Sequence, residues 1–191
     1  ARDMADQIDL ERLTLAELQT LNEARFRKEV FIPLLDRLRA HDIQDLQGNN
    51  EFGIDVYFSW YDAFHVRRHF GVQLKVGDIT AKKESAPENV VDICRQLKMA
   101  FGRTILLGDG SKAEARIDGF YVATTGDITE NARQFIRQHG QEYAYIQFLT
   151  GANVLEVIEK RTSSSRVDPR ELEILSMDPL GFASGALLEN G

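Results

Sequence analysis

The chain has one cysteine in 191 residues, so no internal disulfide can form. Cys94 falls in the apolar rhythm of "VVDICRQL" and reads as a small buried hydrophobe rather than a nucleophile. That usage fits a reducing cytoplasm. No run of about 18 apolar residues occurs, so no membrane-spanning helix is expected. The stretch "ARDMADQIDLERLTL" lacks the basic and apolar regions of a secretion signal. "GDGS" at 108–111 lacks the Lys-Ser/Thr pair of a phosphate-binding loop, so nucleotide binding is not expected there. No internal repeat is evident. Positive charge is also scarce: 23 Lys and Arg stand against 30 Asp and Glu, a net of −7. Taken alone, that balance weighs against a nucleic-acid partner, because phosphate binding needs positive charge.

The distribution of charge softens the objection. Residues 65–103 carry eight Lys and Arg against four acids, a local net of +4 that leaves −11 for the rest. A basic patch on an acidic body can bind a polynucleotide in a salt-sensitive way, although a solvated mixed-charge surface gives the same count. The length and the 43% apolar content suit one domain with extra length at its ends.

Apolar residues Leu15, Leu18, Phe26, Val30, Leu34, Leu35 and Leu38 recur at three- and four-residue spacings, which predicts helix over 9–40, kinked or restarted at Pro33. After the polar turn "QGNNEFG", "IDVYFSW" alternates as a strand. Ile54, Val56 and Phe58 lie on one face, Asp55, Tyr57 and Ser59 on the other. "FGVQLKV" alternates likewise and most easily pairs with it as an antiparallel hairpin. A helix is expected from Pro87 to Phe101, then a short apolar run and a Gly-rich turn. The strand "GFYVATT" leads to a helix opened by an Asp127/Glu130 capping box. A strand "YAYIQFL" and a short helix "GANVLEVIEK" close the pattern. This order defines an α/β class: a mixed central sheet flanked by helices. Residues 161–191 read as a linker or docking tail.

Within this frame the hairpin carries the chemistry. Asp55 on the first strand and Gln73 and Lys75 on the second can project from one face. Glu29, on the long helix, could reach the same end of the sheet, and the Leu74 carbonyl adds another oxygen. A carboxylate, an amide oxygen and a second carboxylate are hard ligands that suit Mg²⁺, with a lysine beside them to meet charge developing on a phosphate. Near the hairpin tip, Arg67 and Arg68 lie between His65 and His69, and Lys82 and Lys83 follow the second strand. All four basic residues are candidates for phosphate contact, set against ordinary loop polarity. Two histidines four apart on a loop with no cysteine beside them make a weak zinc site. Trp60 and Tyr61 could stack on a base, though packing of the hairpin explains them as well. Glu51 could replace Glu29, and Gln96 could point back toward the site, although each also reads as a surface residue.

The ordered run "RKEVFIPLLDRLRAHD", "NEFGIDVYF", "FGVQLKVGD", "RQLKMAFG", "GFYVATTGDITENARQFI" and "YAYIQFLTGANVLEVI" resembles the PD-(D/E)xK nuclease superfamily. Within it, the resemblance is to Mrr-like restriction endonucleases in which QxK replaces ExK, and it covers about residues 23–160. It implies a restriction-endonuclease-like domain over 23–160, preceded by a helical lead-in at 1–22. Asp55 would be the metal-binding aspartate, Gln73 the second ligand, Lys75 the catalytic lysine and Glu29 the auxiliary acid. The implied activity is Mg²⁺- or Mn²⁺-dependent hydrolysis of double-stranded DNA. The implied setting is a cytoplasmic bacterial restriction or defence protein, with the tail joining a homo-oligomer or larger assembly. Three departures mark this chain: Gln73 is neutral, Ile54 stands where the eponymous proline would be, and the glycine surroundings of Asp55 are sparser than in many relatives. The rival expectations are a non-cutting module that binds nucleic acid or a protein, and a nuclease acting on RNA or branched DNA.

Overall fold

A computed structural model of the chain describes residues 8–46, 53–81, 88–140 and 144–163. Lys82, Lys83, Glu51, Pro87 and the tail from residue 164 lie outside the described residues. Among the described residues no helix is long and apolar enough to cross a membrane.

The helix expected over 9–40, kinked or restarted at Pro33, is four pieces, and an unexpected strand follows it. Helix α1 (Leu15–Thr20) opens on a reciprocal capping box between Thr14 and Glu17 and ends at Leu21, whose backbone is extended. Asn22 then caps α2 (Glu23–Arg25) by accepting the Arg25 N–H. A π-helical turn over Phe26–Phe31 follows, and α3 (Ile32–Arg37) continues with Pro33 in its first turn. Proline has no N–H to donate, so it sits at a change of register without loss of a bond. Arg39 adopts a left-handed φ of 59°, and the chain turns into β1 (His41–Asp45), a polar strand.

Strands β2 (Val56–Tyr61) and β3 (Arg67–Lys75) form the expected antiparallel hairpin, with Val56 opposite Val72 and Tyr61 opposite Arg67. Helix α4 (Glu88–Phe101) follows, then the small ribbon of β4 (Ile105–Leu106) and β5 (Glu114–Ala115). Next come β6 (Gly119–Thr124), α5 (Glu130–His139), β7 (Tyr145–Leu149) and α6 (Gly151–Ser163). The cap of α5 is Thr129, whose hydroxyl accepts the Ala132 N–H. Asp127, the expected cap, instead accepts the Ile128 N–H and donates its own N–H to the Asp78 carboxylate.

The main sheet has the order β1-β2-β3-β6-β7, antiparallel from β1 to β3 and parallel from β3 to β7. Parallel neighbours need crossover connections, and α4 and α5 supply them. Both helices pack on one face against Tyr57, Phe120, Val122 and Phe148. Residues of the N-terminal helical pieces and of α6 cover the other face, against Val56, Phe58, Val72, Leu74 and Tyr121. The sheet is thus buried on both sides, as parallel sheets generally are. One consequence governs the site: the polar face of the hairpin lies beneath α4.

Candidate active site

Asp55 stands just before β2, between its two neighbours. Its N–H bonds the Val72 carbonyl at 2.8 Å, and its carbonyl receives the Leu46 N–H at 2.9 Å. Val56 pairs with Val72, so Asp55 and Gln73 are the next residues beyond that pair on the two chains. Its carboxylate accepts the Leu74 N–H at 2.7 Å. On a strand the N–H and C=O of one residue point the same way, so the Leu74 carbonyl is directed to this edge as well.

Burial pushes the Asp55 carboxyl up to about 6, and the negative charge of Glu23 adds to the rise. The Leu74 N–H, Lys75 and Arg27 oppose it without cancelling it. The rise comes chiefly from burial, and a bound divalent ion would offset that cost by stabilising the carboxylate.

Gln73 is 1% exposed, and its Oε1 is buried without a hydrogen-bond partner among the described residues. The Oε1 of Gln96 on α4 is in the same state. An orphaned buried acceptor costs about 1–3 kcal/mol, so two in one region call for an explanation. Gln96 adjoins the lead-in to Asp55. A Cβ on Gly53 would come within 2.2 Å of the Gln96 carbonyl oxygen, and Gly53 has φ +80°. Only glycine permits both that turn and that approach.

Lys75 leaves β3 on the same face as Gln73 and is half-buried. The chain turns two residues later at Gly77, where φ is +75°. The Gly77 N–H donates to the Thr125 hydroxyl at 3.0 Å, and its carbonyl accepts from the Thr124 hydroxyl. These threonines pin the end of β3, and with it the position of Lys75.

Glu29 is not brought to this group. Both of its carboxylate oxygens are engaged by Arg25, each at 2.9 Å. The helix acid whose charge acts on Asp55 is Glu23. Glu23 lies in α2 and Glu29 in the π turn, so 3.6-residue spacing does not set their relative phase. The sequence carries a signal for Glu23, an acid directly after an Asn cap, but nothing that ranks it above Glu29.

Arg67 and Arg68 lie at the other end of β3. Five to eight residues separate them from Gln73 and Lys75, about 17–26 Å along a strand. Arg67 bonds Asp109 at 2.6 Å, Asp42 at 3.2 Å and Ser59 at 2.9 Å, so it braces β1 and the β4–β5 turn. Arg68 pairs with Asp62 at 2.9 Å within the hairpin turn. His69 is tied to the Tyr57 hydroxyl at 2.7 Å, and Trp60 packs against the core. Burial lowers the pKa of His69 and pushes that of Tyr57 up to about 12.

No group of three or more His, Cys, Asp and Glu placed to hold a metal ion occurs among the described residues. The oxygens gathered at this edge are the Asp55 carboxylate, the Gln73 amide and the Leu74 carbonyl, with Glu23 in the field of Asp55. This composition fits Mg²⁺ or Mn²⁺, which are bound through one or two carboxylates with water completing the shell. No family model, no curated protein and no solved structure matches the chain.

Proposed function

We propose that the chain is a Mg²⁺- or Mn²⁺-dependent nuclease that hydrolyses DNA phosphodiester bonds, built on a sheet of the PD-(D/E)xK, restriction-endonuclease-like type. The observation that carries the reading is the orphaned, buried Gln73 oxygen next to Leu74, whose N–H holds the Asp55 carboxyl, a group whose pKa is raised to about 6. Asp55, Gln73 and the Leu74 carbonyl would hold the ion from the sheet, with Glu23 closing from the helix. A bound divalent ion supplies Lewis acidity toward the phosphate and lowers the pKa of attacking water.

The protein groups have distinct tasks. Asp55 and Glu23 provide negative charge, and Gln73 provides a neutral oxygen held rigid by burial. Lys75 places an ammonium where charge accumulates on the phosphorane-like transition state, an effect worth about 10²-fold or more in rate. Lys98, exposed on the helix that carries Gln96, supplies positive charge for the DNA backbone; Arg95 beside it is paired with Asp92. Plasmid nicking in Mg²⁺ or Mn²⁺ tests the reading. Lys75→Ala and Asp55→Ala each reduce nicking by about 10²-fold or more; undiminished nicking in both removes the assignment.

The neutral Gln73 and the presence of only two carboxylates favour one alternative, a module of this fold that binds nucleic acid without cutting it. It predicts metal-independent DNA binding with no turnover in any divalent ion. Single-stranded DNA, duplex DNA and RNA compared at one salt concentration separate the substrates.

A further inference from the structure

Arg27 is 2% exposed, among the largest fully buried side chains of the molecule. It lies in the π-helical turn, four residues after Glu23, so the two share the side of the helix turned to the sheet. Its Nε lies 3.0 Å from Asp45 Oδ1 at the end of β1, an ion pair without hydrogen-bond geometry. Asp45 pairs with Val56, and the next residue, Leu46, donates its N–H to the Asp55 carbonyl. An unbroken chain of contacts thus runs from the helix that carries Glu23, through the guanidinium, to the peptide of Asp55. The Arg27 Nε and Nη1 are both buried without a hydrogen-bond partner among the described residues. A buried guanidinium left partly unmatched is costly, and the π turn that places it is a rare element, often found at functional sites.

We propose that Arg27 is a positioning residue: its clamp on Asp45 fixes the separation of Glu23 and Asp55, and so the geometry in which they share a divalent ion. The inference rests on the metal site argued above. A positioning role and a merely electrostatic one predict opposite signs. A nearby positive charge repels a divalent cation, so if field alone mattered, deleting it would tighten binding.

The test is a Mn²⁺ titration of the full chain, read by loss of the free-ion EPR signal, with urea unfolding in parallel. Arg27→Lys keeps the charge and loses the planar fork; it is expected to weaken Mn²⁺ binding about fivefold or more. Arg27→Met removes a repelling charge and is nonetheless expected to weaken binding about tenfold. Binding by either folded variant equal to or tighter than wild type overturns the proposal, as does a loss of stability with Mn²⁺ affinity unchanged. If neither variant folds, Asp45→Asn, at the half-exposed end of the clamp, carries the test: weaker binding supports the proposal and unchanged binding overturns it. A wild-type chain that binds no Mn²⁺ removes the metal site itself, a result distinct from equal binding by wild type and variant.

Discussion

Replacing Asp55 with asparagine should stabilise the metal-free protein while removing its activity. The carboxyl moves from 3.8 to about 6 on folding, chiefly through burial. The sign follows from proton linkage. Between these values the folded state binds more protons than the unfolded chain, so stability falls as pH rises through the window and the full cost is present above about pH 6. At 1.36 kcal/mol per unit the cost is about 3 kcal/mol. Asparagine keeps an oxygen to accept the Leu74 N–H and carries no charge to desolvate. Urea unfolding in EDTA is therefore expected to show Asp55→Asn more stable than wild type by about 2–3 kcal/mol at pH 7.5, with the gap closing below about pH 4. Saturating Mg²⁺ should narrow or reverse the gap at pH 7.5, since the ion stabilises only the carboxylate. A variant no more stable than wild type at pH 7.5, or one whose advantage persists at pH 3, would refute the reasoning.

Gly53→Ala, with a Cβ 2.2 Å from the Gln96 carbonyl and φ at +80°, is expected to lower unfolding free energy by about 2 kcal/mol or more, measured in urea. Gln73→Glu adds a second carboxylate near Asp55; it should lower stability in EDTA and tighten Mg²⁺ binding by calorimetry. Arg67→Ala should cost about 1–3 kcal/mol in stability yet leave duplex-DNA affinity within about twofold, because its guanidinium is spent on Asp42, Asp109 and Ser59. Glu23→Gln should weaken Mn²⁺ binding while Glu29→Gln should not, a direct comparison by calorimetry.

What could be read from the residues was the part governed by local periodicity. The β2–β3 hairpin announced itself through two-residue alternation, which puts Gln73 and Lys75 on one side of β3. Strand β1 did not, because "HDIQD" has no apolar alternation and is made a strand by the edge of β2. Its start depends on Arg39 entering a left-handed conformation that no glycine signals. The choice of Glu23 over Glu29 turns on angular phase through a π turn, which spacing rules based on 3.6 residues do not register. Arg67 and Arg68 looked like a basic tip because their acidic partners Asp42, Asp62 and Asp109 are spread along the sequence. The burial of Gln73 was equally hidden: it exists only once α4, fifteen residues and more beyond, is laid across the strand.

The most direct test of the central claim is an anomalous-scattering map from crystals of the full chain soaked in Mn²⁺. A single strong peak is expected within about 2.0–2.3 Å of an Asp55 carboxylate oxygen and the Gln73 Oε1, with the Lys75 ammonium beside it and unligated. No peak at millimolar Mn²⁺, or a Gln73 side chain turned to present its NH₂ group to that space, would contradict the account.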